Sequence, residues 1–277
     1  MPIRLGANRY GKAENRVVRI HRDTARHEIT DLNVTTHLRG SFDAAHTTGD
    51  QAAVLTTDTQ KNTVFAFAKE HGVRPIEDYA LRLAHHFVDT TPAVSGALVE
   101  VEEYPWSRID GHDHAFVREG GWVRTTAVDV EGGTAVVTSG VKDLTLLKST
   151  GSEFHGFYKN RYTTLAETKD RVLATSLVAT WRYGTTEVEW DAVFADVLAI
   201  VTGSFARIHS LALQHSLYGM GEAVLEAHPE IEEISFAAPN KHHFLVDLSP
   251  FDLENDGEVF ITADRPYGLI EATVVRE

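Results

Sequence analysis

Two adjacent histidines stand in the segment PNKHHFLVDL, residues 239–248. Imidazole gains and loses a proton near neutral pH, and it is also a common metal ligand. Neighbouring side chains of a strand point to opposite faces, so His242 shares a face with Phe244 and Val246, whereas His243 lies on the other face. The pair therefore cannot close on one metal ion. We interpret His242 either as an acid–base group or as a hydrogen-bonded histidine at the end of a sheet.

The other histidines give little support for a metal site. The chain has 15 histidines and no cysteine, which excludes disulfides, thiolate nucleophiles, iron–sulfur clusters and cysteine-based zinc sites. His112 and His114 lie in a loop rich in Gly and Asp, where solvent-facing side chains are expected. His85 and His86 lie about 100° apart on a predicted helix. We therefore expect no protein-bound catalytic metal.

Four further residues could contribute to chemistry, yet each also has an ordinary structural interpretation. They are Lys12 in RYGKAE, Phe154 in SEFHGF, Arg171 in ETKDRVLAT and Gln214 in LALQHS. Lys12 would ordinarily be a solvated lysine and Phe154 a core aromatic. Arg171 would ordinarily be a charge at the end of a helix or strand, and Gln214 a polar residue at a helix start. No rule of spacing joins these residues into one site.

The composition and the missing motifs exclude several classes of function. There are 26 Lys and Arg against 40 Asp and Glu, a net charge of −14, and no dense basic run, so a nucleic-acid partner is not expected. No complete G-x-G-x-x-G, P-loop, G-x-S-x-G or H-E-x-x-H motif is present. No apolar run approaches the roughly 20 residues that span a bilayer, and neither end carries a targeting signal. We expect a soluble, cytoplasmic protein with no membrane partner.

Residue periodicity predicts the same order of elements twice. In the first half, strands are predicted over 14–22 and 27–42, and two helices over 57–72 and 74–87. Further strands are predicted over 97–109, 114–121, 122–130 and 134–149. The second half predicts strands over 171–184 and 186–190, helices over 191–210 and 214–228, and strands over 231–239, 242–249, 257–263 and 268–275. The order predicts a duplicated α+β unit with helices on one face of an antiparallel sheet.

Taken together, several segments resemble the urate oxidase (uricase) family, in particular its bacterial form. The matching runs follow the order of the family and are RYGKAE (9–14), TARHEITDLNV (24–34), TTDTQKNTVFAFA (56–68), LTLLKSTGSEFHGF (144–157), RYTTLAETKDRVLAT (161–175), HSLALQHSLYGMG (209–221), PNKHHFLVDL (239–248) and ADRPYGLIEAT (263–273). The stretch 89–105 matches weakly, and the chain ends soon after RPYGLIEATVV, where the family often has a longer tail.

The resemblance implies both an architecture and a reaction. The family has two tandem T-fold domains, each β-β-α-α-β-β, which we assign to residues 1–132 and 133–277. The domains assemble into a homotetramer around a hollow β-barrel, with active sites at subunit interfaces. The implied reaction is the oxidation of urate by O2 and water to 5-hydroxyisourate and hydrogen peroxide, a step of purine catabolism that needs neither a metal nor an organic cofactor.

The resemblance also implies a role for individual residues in binding urate. Arg171 matches the arginine that clamps urate, and Gln214 matches the glutamine at the opposite edge of the purine. Phe154 matches the aromatic residue that stacks on the purine ring. Leu165 and Leu213 fall where the family lines the pocket.

A second group of residues is implied to reach the site from elsewhere in the tetramer or to move protons. Thr57 and Asp58 match the pair that a neighbouring subunit contributes to the urate site. Lys12, Thr57 and His242 match a proton-relay group, so the resemblance favours the acid–base interpretation of His242. Asn240 matches the residue that holds water or dioxygen above the purine plane, and we expect it to share a strand face with His242.

Two other functions remain open at this stage. A purine- or pterin-binding protein of the same fold would need only Arg171, Gln214 and Phe154, so the presence of Lys12 and His242 argues against it. A metal-dependent T-fold hydrolase resembling GTP cyclohydrolase would need metal ligands. The chain has no cysteine, and His242 and His243 face opposite sides of their strand, so both features argue against this function. Activity that survives a strong chelator would exclude the hydrolase.

Overall fold

The computed structural model describes residues 3–263 and 265–277. The chain divides into two compact units. The first runs to Gly140 and also contains Arg182–Asp191, and the second contains Val141–Trp181 and Ala192–Glu277. The assignment of T-fold domains to residues 1–132 and 133–277 stays a prediction.

The first unit combines an antiparallel sheet with helices. Its strands are β1 (Tyr10–His21), β2 (Glu28–Gly40), β3 (Val94–Tyr104), β4 (Trp106–Arg108), β5 (Phe116–Arg118), β6 (Val123–Glu131) and the start of β7 (Thr134–Lys148). Its helices are α1 (Asp43–Thr47), α2 (Thr57–Glu70) and α3 (Ile76–Thr90). The main sheet has the order β1-β2-β3-β6-β7, and β4 pairs with β5 in a separate two-stranded sheet.

Apolar periodicity explains why α3 packs against the sheet of this unit, where it contacts β3 and β6. The apolar stripe predicted for α3 is fully buried and consists of Ile76, Tyr79, Ala80, Leu83 and Phe87. On the sheet, alternate residues of β2 such as Leu32, Val34 and Leu38 are equally buried. Burying each of the larger aliphatic side chains or Phe87 contributes roughly 1.5–3 kcal/mol, so the two patterns together hold α3 on the sheet.

The second unit repeats the arrangement of strands, two helices and strands. It holds the end of β7, most of β8 (Leu173–Tyr183), β9 (Ile231–Pro239), β10 (His242–Leu245), β11 (Phe260–Ala263) and β12 (Leu269–Val275). It also holds most of α4 (Trp190–Arg207), α5 (Leu213–Ala227) and a short 3-10 helix, Ser249–Phe251. The sheet order is β7-β8-β9-β12, and β10 pairs with β11 as a separate two-stranded ribbon.

Most of the predicted elements are confirmed, one is wrong and one short helix was not predicted. The turn at Gly132 and Gly133 is present, with positive φ values of 58° and 83° that suit a tight hairpin. The strand predicted over 186–190 is absent from this described segment, because Trp190 begins α4. The Trp190 indole lies 5.0 Å from the ring of Tyr183 and donates to Asp78 Oδ1 at 2.8 Å, and such tertiary contacts outweigh a short alternating pattern. The short helix α1 was not predicted, since it buries no residue and so has no apolar stripe.

A charged cluster is buried at the start of α3. The side chain of Glu77 is fully buried and accepts hydrogen bonds from Arg124 Nη2 at 2.8 Å and from Ser139 Oγ at 2.6 Å. Arg124 also donates to Asp191 at 2.6 Å. Burial raises the pKa of the Glu77 carboxyl, an effect that Arg124 and Ser139 oppose. The cluster links α3 to two strands of its own unit, and it is stable only while each charge keeps its partner.

Removal of Arg124 is expected to be costly because it leaves the Glu77 carboxylate buried without its main counter-charge. We expect Arg124→Met to lower the free energy of unfolding in urea by about 3–5 kcal/mol. Arg26→Met is the matched control, since the Arg26–Asp113 pair is 57% exposed on both sides and should cost less than about 1 kcal/mol. Adding Glu77→Gln should recover part of the loss. Equal losses for Arg124→Met and Arg26→Met would contradict this account.

Candidate urate-binding site

The candidate site residues are distributed over both units. Lys12, Thr57 and Asp58 belong to the first unit. The residues of the second unit are Phe154, Leu165, Arg171, Leu213, Gln214, Asn240 and His242. The structure therefore builds two groups of candidate residues, and the geometry of each is described separately.

Phe154 and Arg171 are brought together by the folded segment between β7 and β8. Phe154 and Thr168 form an antiparallel bridge, with N–H to O distances of 2.8 and 3.0 Å in the two directions. The bridge places the guanidinium carbon of Arg171 5.1 Å from the centre of the Phe154 ring. Arg171 Nε also donates to Ser152 Oγ at 3.3 Å. The guanidinium thus lies over the Phe154 ring, which also stacks on the Phe157 ring with the centres 5.0 Å apart. A cation and an aromatic ring are the two groups that clamping and stacking of an anionic purine use.

Burial gives the Arg171 charge a preference for an anionic ligand. Desolvation lowers the pKa of the guanidinium from its ordinary value, although the group stays charged at any working pH. A ligand that carries negative charge would offset this desolvation. Leu165 lies in the same segment, between the bridged residues, and its side chain is exposed.

The segment that carries Phe154 is hydrogen-bonded to the segment that leads into α5. Ser152 and Ser210 form a parallel bridge, and Ser210 N donates to Gly151 O at 2.9 Å. Leu213 begins α5 and is buried, whereas Gln214 follows it and is exposed. Neither serine was predicted as a functional residue, because a contact between such distant parts of the chain has no local signal in the sequence.

Asn240 and His242 lie where β9 passes into β10. Asn240 forms an isolated antiparallel bridge with Thr175 of β8, and its N–H donates to Gly268 O at 2.8 Å. His242 begins β10, and its ring stacks on that of Phe244 at 5.7 Å with an interplanar angle of 20°. This confirms that His242 and Phe244 share a face. The expectation that Asn240 shares a strand face with His242 stays a prediction, because Asn240 precedes β10.

Lys12 lies on β1 beside a break in strand register. The pairing with β2 shifts between Lys12 and Asn15, and Glu14 within this bulge has a positive φ of 56°. Lys12 N donates to Thr36 Oγ1 at 3.4 Å. The bulge interrupts the regular alternation of side chains at the point where Lys12 stands.

Helix α2 is tied to this part of the sheet. Thr36 Oγ1 donates to Gln60 Oε1 at 2.8 Å, and both side chains are fully buried. Thr57 and Asp58 occupy the exposed first turn of α2, which Thr56 caps by accepting a hydrogen bond from Thr59 N at 3.0 Å. The pKa of the Asp58 carboxyl is lowered mainly by Lys61, with a smaller contribution from Lys12. Lys12, Thr57 and Asp58 thus occupy one region of the first unit.

The described residues were compared with the requirements of a metal site and of a membrane-spanning helix. Within residues 3–263 and 265–277, no three His, Asp or Glu side chains are grouped as ligands of a metal ion. No helix in the same part of the chain is long and apolar enough to cross a bilayer.

Comparisons with known proteins agree on one family. The family model described as Uricase matches residues 8–129 and 137–271. A uricase from Arthrobacter globiformis is 56% identical over 273 residues, which cover 99% of this chain and 90% of that protein. A uricase from Cyberlindnera jadinii is 36% identical over 298 residues, 100% of this chain and 98% of the other.

Solved structures give the same result for the fold. The crystal structure of the Arthrobacter globiformis uricase has a TM-score of 0.98 at 55% identity and covers 100% of this chain and 96% of its own. The urate oxidase of Bacillus sp. TB-90 is 23% identical with a TM-score of 0.84, covering 97% of this chain and 100% of its own, which shows the shared fold.

Thr175, which bridges to Asn240, carries a buried hydroxyl whose contribution to stability can be tested. Its hydroxyl is buried without a hydrogen-bond partner, so we expect Thr175→Val to raise the free energy of unfolding in urea by about 1 kcal/mol. The control is Thr36→Val, because Thr36 is equally buried but bonds to Gln60, and its loss should destabilise by about 1–3 kcal/mol. A stability loss in Thr175→Val as large as that in Thr36→Val would show that the hydroxyl does have a partner.

Proposed function

Since this chain belongs to the uricase family and is a urate oxidase, we propose that it converts urate, O2 and water into 5-hydroxyisourate and hydrogen peroxide. We further propose that neither a metal nor an organic cofactor takes part. The observation that carries the proposal is the contact between Arg171 and Phe154, in which a half-buried cation lies 5.1 Å from an aromatic ring. That pair suits a flat, anionic purine.

The binding step follows from the donors and acceptors around this pair. The planar guanidinium of Arg171 can donate two parallel hydrogen bonds to a carbonyl oxygen and a ring nitrogen of urate. Phe154 stacks on the purine, which contributes about 0.5–1.5 kcal/mol beyond area burial. Gln214, exposed at the start of α5, can donate and accept at the opposite edge. Leu165 and Leu213 complete the apolar lining.

The chemical step needs proton transfer more than it needs an electron carrier. Urate is itself the reductant, and loss of a second proton makes its π-system rich enough in electrons to pass one electron to O2. The two radicals combine at C5 to give a hydroperoxide, and water then displaces hydrogen peroxide. The enzyme contributes orientation, proton transfer and a place for O2.

Lys12, Thr57 and His242 are the proposed proton relay. Imidazole exchanges protons near neutral pH, and a hydroxyl can accept one proton while it donates another. His242 is half-buried, and its ring stacks on that of Phe244. Asn240, just before β10, is proposed to hold water or O2 over the purine.

We propose that the two units are tandem T-fold domains and that four chains form a barrel with sites at the subunit interfaces. Thr57 and Asp58 support this, because both are exposed on the first turn of α2 and so are accessible to a neighbouring subunit. In that arrangement one subunit supplies Thr57 and Asp58, and its neighbour supplies Arg171 and Phe154. A cytoplasmic location stays a prediction from the sequence.

Chelation tests the proposed absence of a metal, and the yield of hydrogen peroxide tests the proposed reaction. In air-saturated buffer containing EDTA, we expect the ultraviolet band of urate to disappear at the same rate as without chelator. Each urate consumed should release one hydrogen peroxide. A rate that collapses in EDTA and returns with added metal would overturn the proposal. Bound but unreacted urate, measured by calorimetry, would indicate a binding protein instead.

Substitutions in the two groups of residues should affect different kinetic constants. Lys12→Met and His242→Asn should lower kcat by roughly 10²–10⁴-fold with little change in KM, because each removes a proton-transfer group. Arg171→Met should raise KM by roughly 10–150-fold, the effect of losing hydrogen bonds between charged groups. Steady-state kinetics with urate at several pH values measures both effects. A rise in KM alone for Lys12→Met would remove that residue from the relay.

A further inference from the structure

The carboxylate of Glu153 is held between two histidines from different segments. Glu153 Oε2 lies 2.7 Å from His155 Nε2, and Glu153 Oε1 lies 2.5 Å from His209 Nε2. Each imidazole donates in the tautomer that carries its proton on Nε2, so each carboxylate oxygen accepts one hydrogen bond. The side chain of Glu153 is only 19% exposed, which leaves it little freedom to move away.

This contact joins two segments that both carry candidate site residues. Glu153 stands directly before Phe154, the stacking residue. His209 stands in the turn that leads into α5, which begins with Leu213 and Gln214. The two contacting residues are 56 positions apart in the sequence, so no local structure would hold them together.

The backbone link between the same segments is short. It consists of the parallel bridge of Ser152 with Ser210, in which Ser210 N donates to Gly151 O at 2.9 Å and Glu153 N donates to Ser210 O at 2.7 Å. A single bridge fixes the distance and register between the two segments, but it only weakly restrains rotation of each segment about its own axis. The Glu153 side chain adds a second point of attachment beside the bridge.

The attachment restrains the direction of Phe154 from the backbone side, while the Phe154 ring itself stacks on Phe157 at 5.0 Å. Adjacent side chains of an extended segment point to opposite sides, so anchoring Glu153 on one side keeps the Phe154 ring on the other. Arg171 lies on that other side, 5.1 Å from the ring. Rotation of this segment would therefore change both the stacking surface and its distance from the start of α5.

We propose that Glu153 is a positioning residue for urate binding: by holding His155 and His209 it fixes the spacing between the Phe154 ring and the start of α5, where Gln214 stands. The inference rests on the proposed roles of Phe154 and Gln214. The two imidazoles, His209 more than His155, lower the pKa of the Glu153 carboxyl, so it stays ionised and accepts both hydrogen bonds near neutral pH.

The test compares Glu153→Gln with a matched variant on the same segment. Gln keeps the size of the side chain, but its amide has one oxygen acceptor in place of two. We expect KM for urate, and Ki for the related purine xanthine, to rise by about tenfold or more, with kcat within about threefold, because displacement of the Phe154 ring from the start of α5 weakens binding of either purine and leaves the proton relay unchanged. The control is Glu167→Gln, because Glu167 contacts Lys159 and Gly156 N instead of a histidine and should change KM less than about twofold.

A second variant separates positioning from folding. His209→Gln should raise KM as Glu153→Gln does, and the double variant should be no worse than the worse single one, because both changes remove the same contact. Thermal unfolding shows whether each variant is folded. KM within twofold of the parent in folded Glu153→Gln, a loss confined to kcat, or an equal effect of Glu167→Gln would each overturn the proposal. Failure of the proposed function would instead show in the parent, which would not release peroxide from urate.

Discussion

Dehydration of the Arg171 guanidinium is the constraint on which the candidate site depends. A charge that is half removed from water must be compensated, and in this chain an aromatic face and a serine hydroxyl supply only part of the compensation. In the proposed complex an anionic purine supplies the rest, because it brings opposite charge, acceptor atoms on one edge and a flat surface for Phe154. Binding and electrostatic stabilisation therefore arise from the same contact, and the chemistry can then depend on proton transfer alone.

The sheet and helices provide the rigid frame for this contact. In the second unit, the segment between β7 and β8 carries Phe154, and it is attached through Ser152 and Glu153 to the turn before α5. The register of β8 against the chain at Asn240 places that residue at the end of the same sheet. Apolar burial thus fixes the elements, and a few polar contacts fix the loops that carry the functional side chains.

The periodic elements could be predicted from the sequence, because burial leaves a regular pattern. The stripe through Tyr79 and Phe87 of α3 and the shared face of His242 and Phe244 are local properties, and the structure confirms both. The stretch 186–190 alternates like a strand, yet Trp190 starts α4, since tertiary contacts of the indole outweigh a short pattern.

The candidate site residues were predicted from a family resemblance, because residues that are far apart in the sequence leave no local pattern when they form one site. Nothing in the spacing of Ser152, Glu153 and His209 shows that they meet, as the contact depends on how two distant loops fold. The proposed division of the site between two subunits is likewise invisible in one chain.

The most direct test of the account is a crystal structure of the assembled protein with xanthine or, without oxygen, urate. The account predicts a purine ring parallel to Phe154, with Arg171 on one edge, Gln214 on the other, and Thr57 and Asp58 contributed by a neighbouring subunit. A purine bound away from the Arg171–Phe154 pair, or a complete site within one chain, would contradict it.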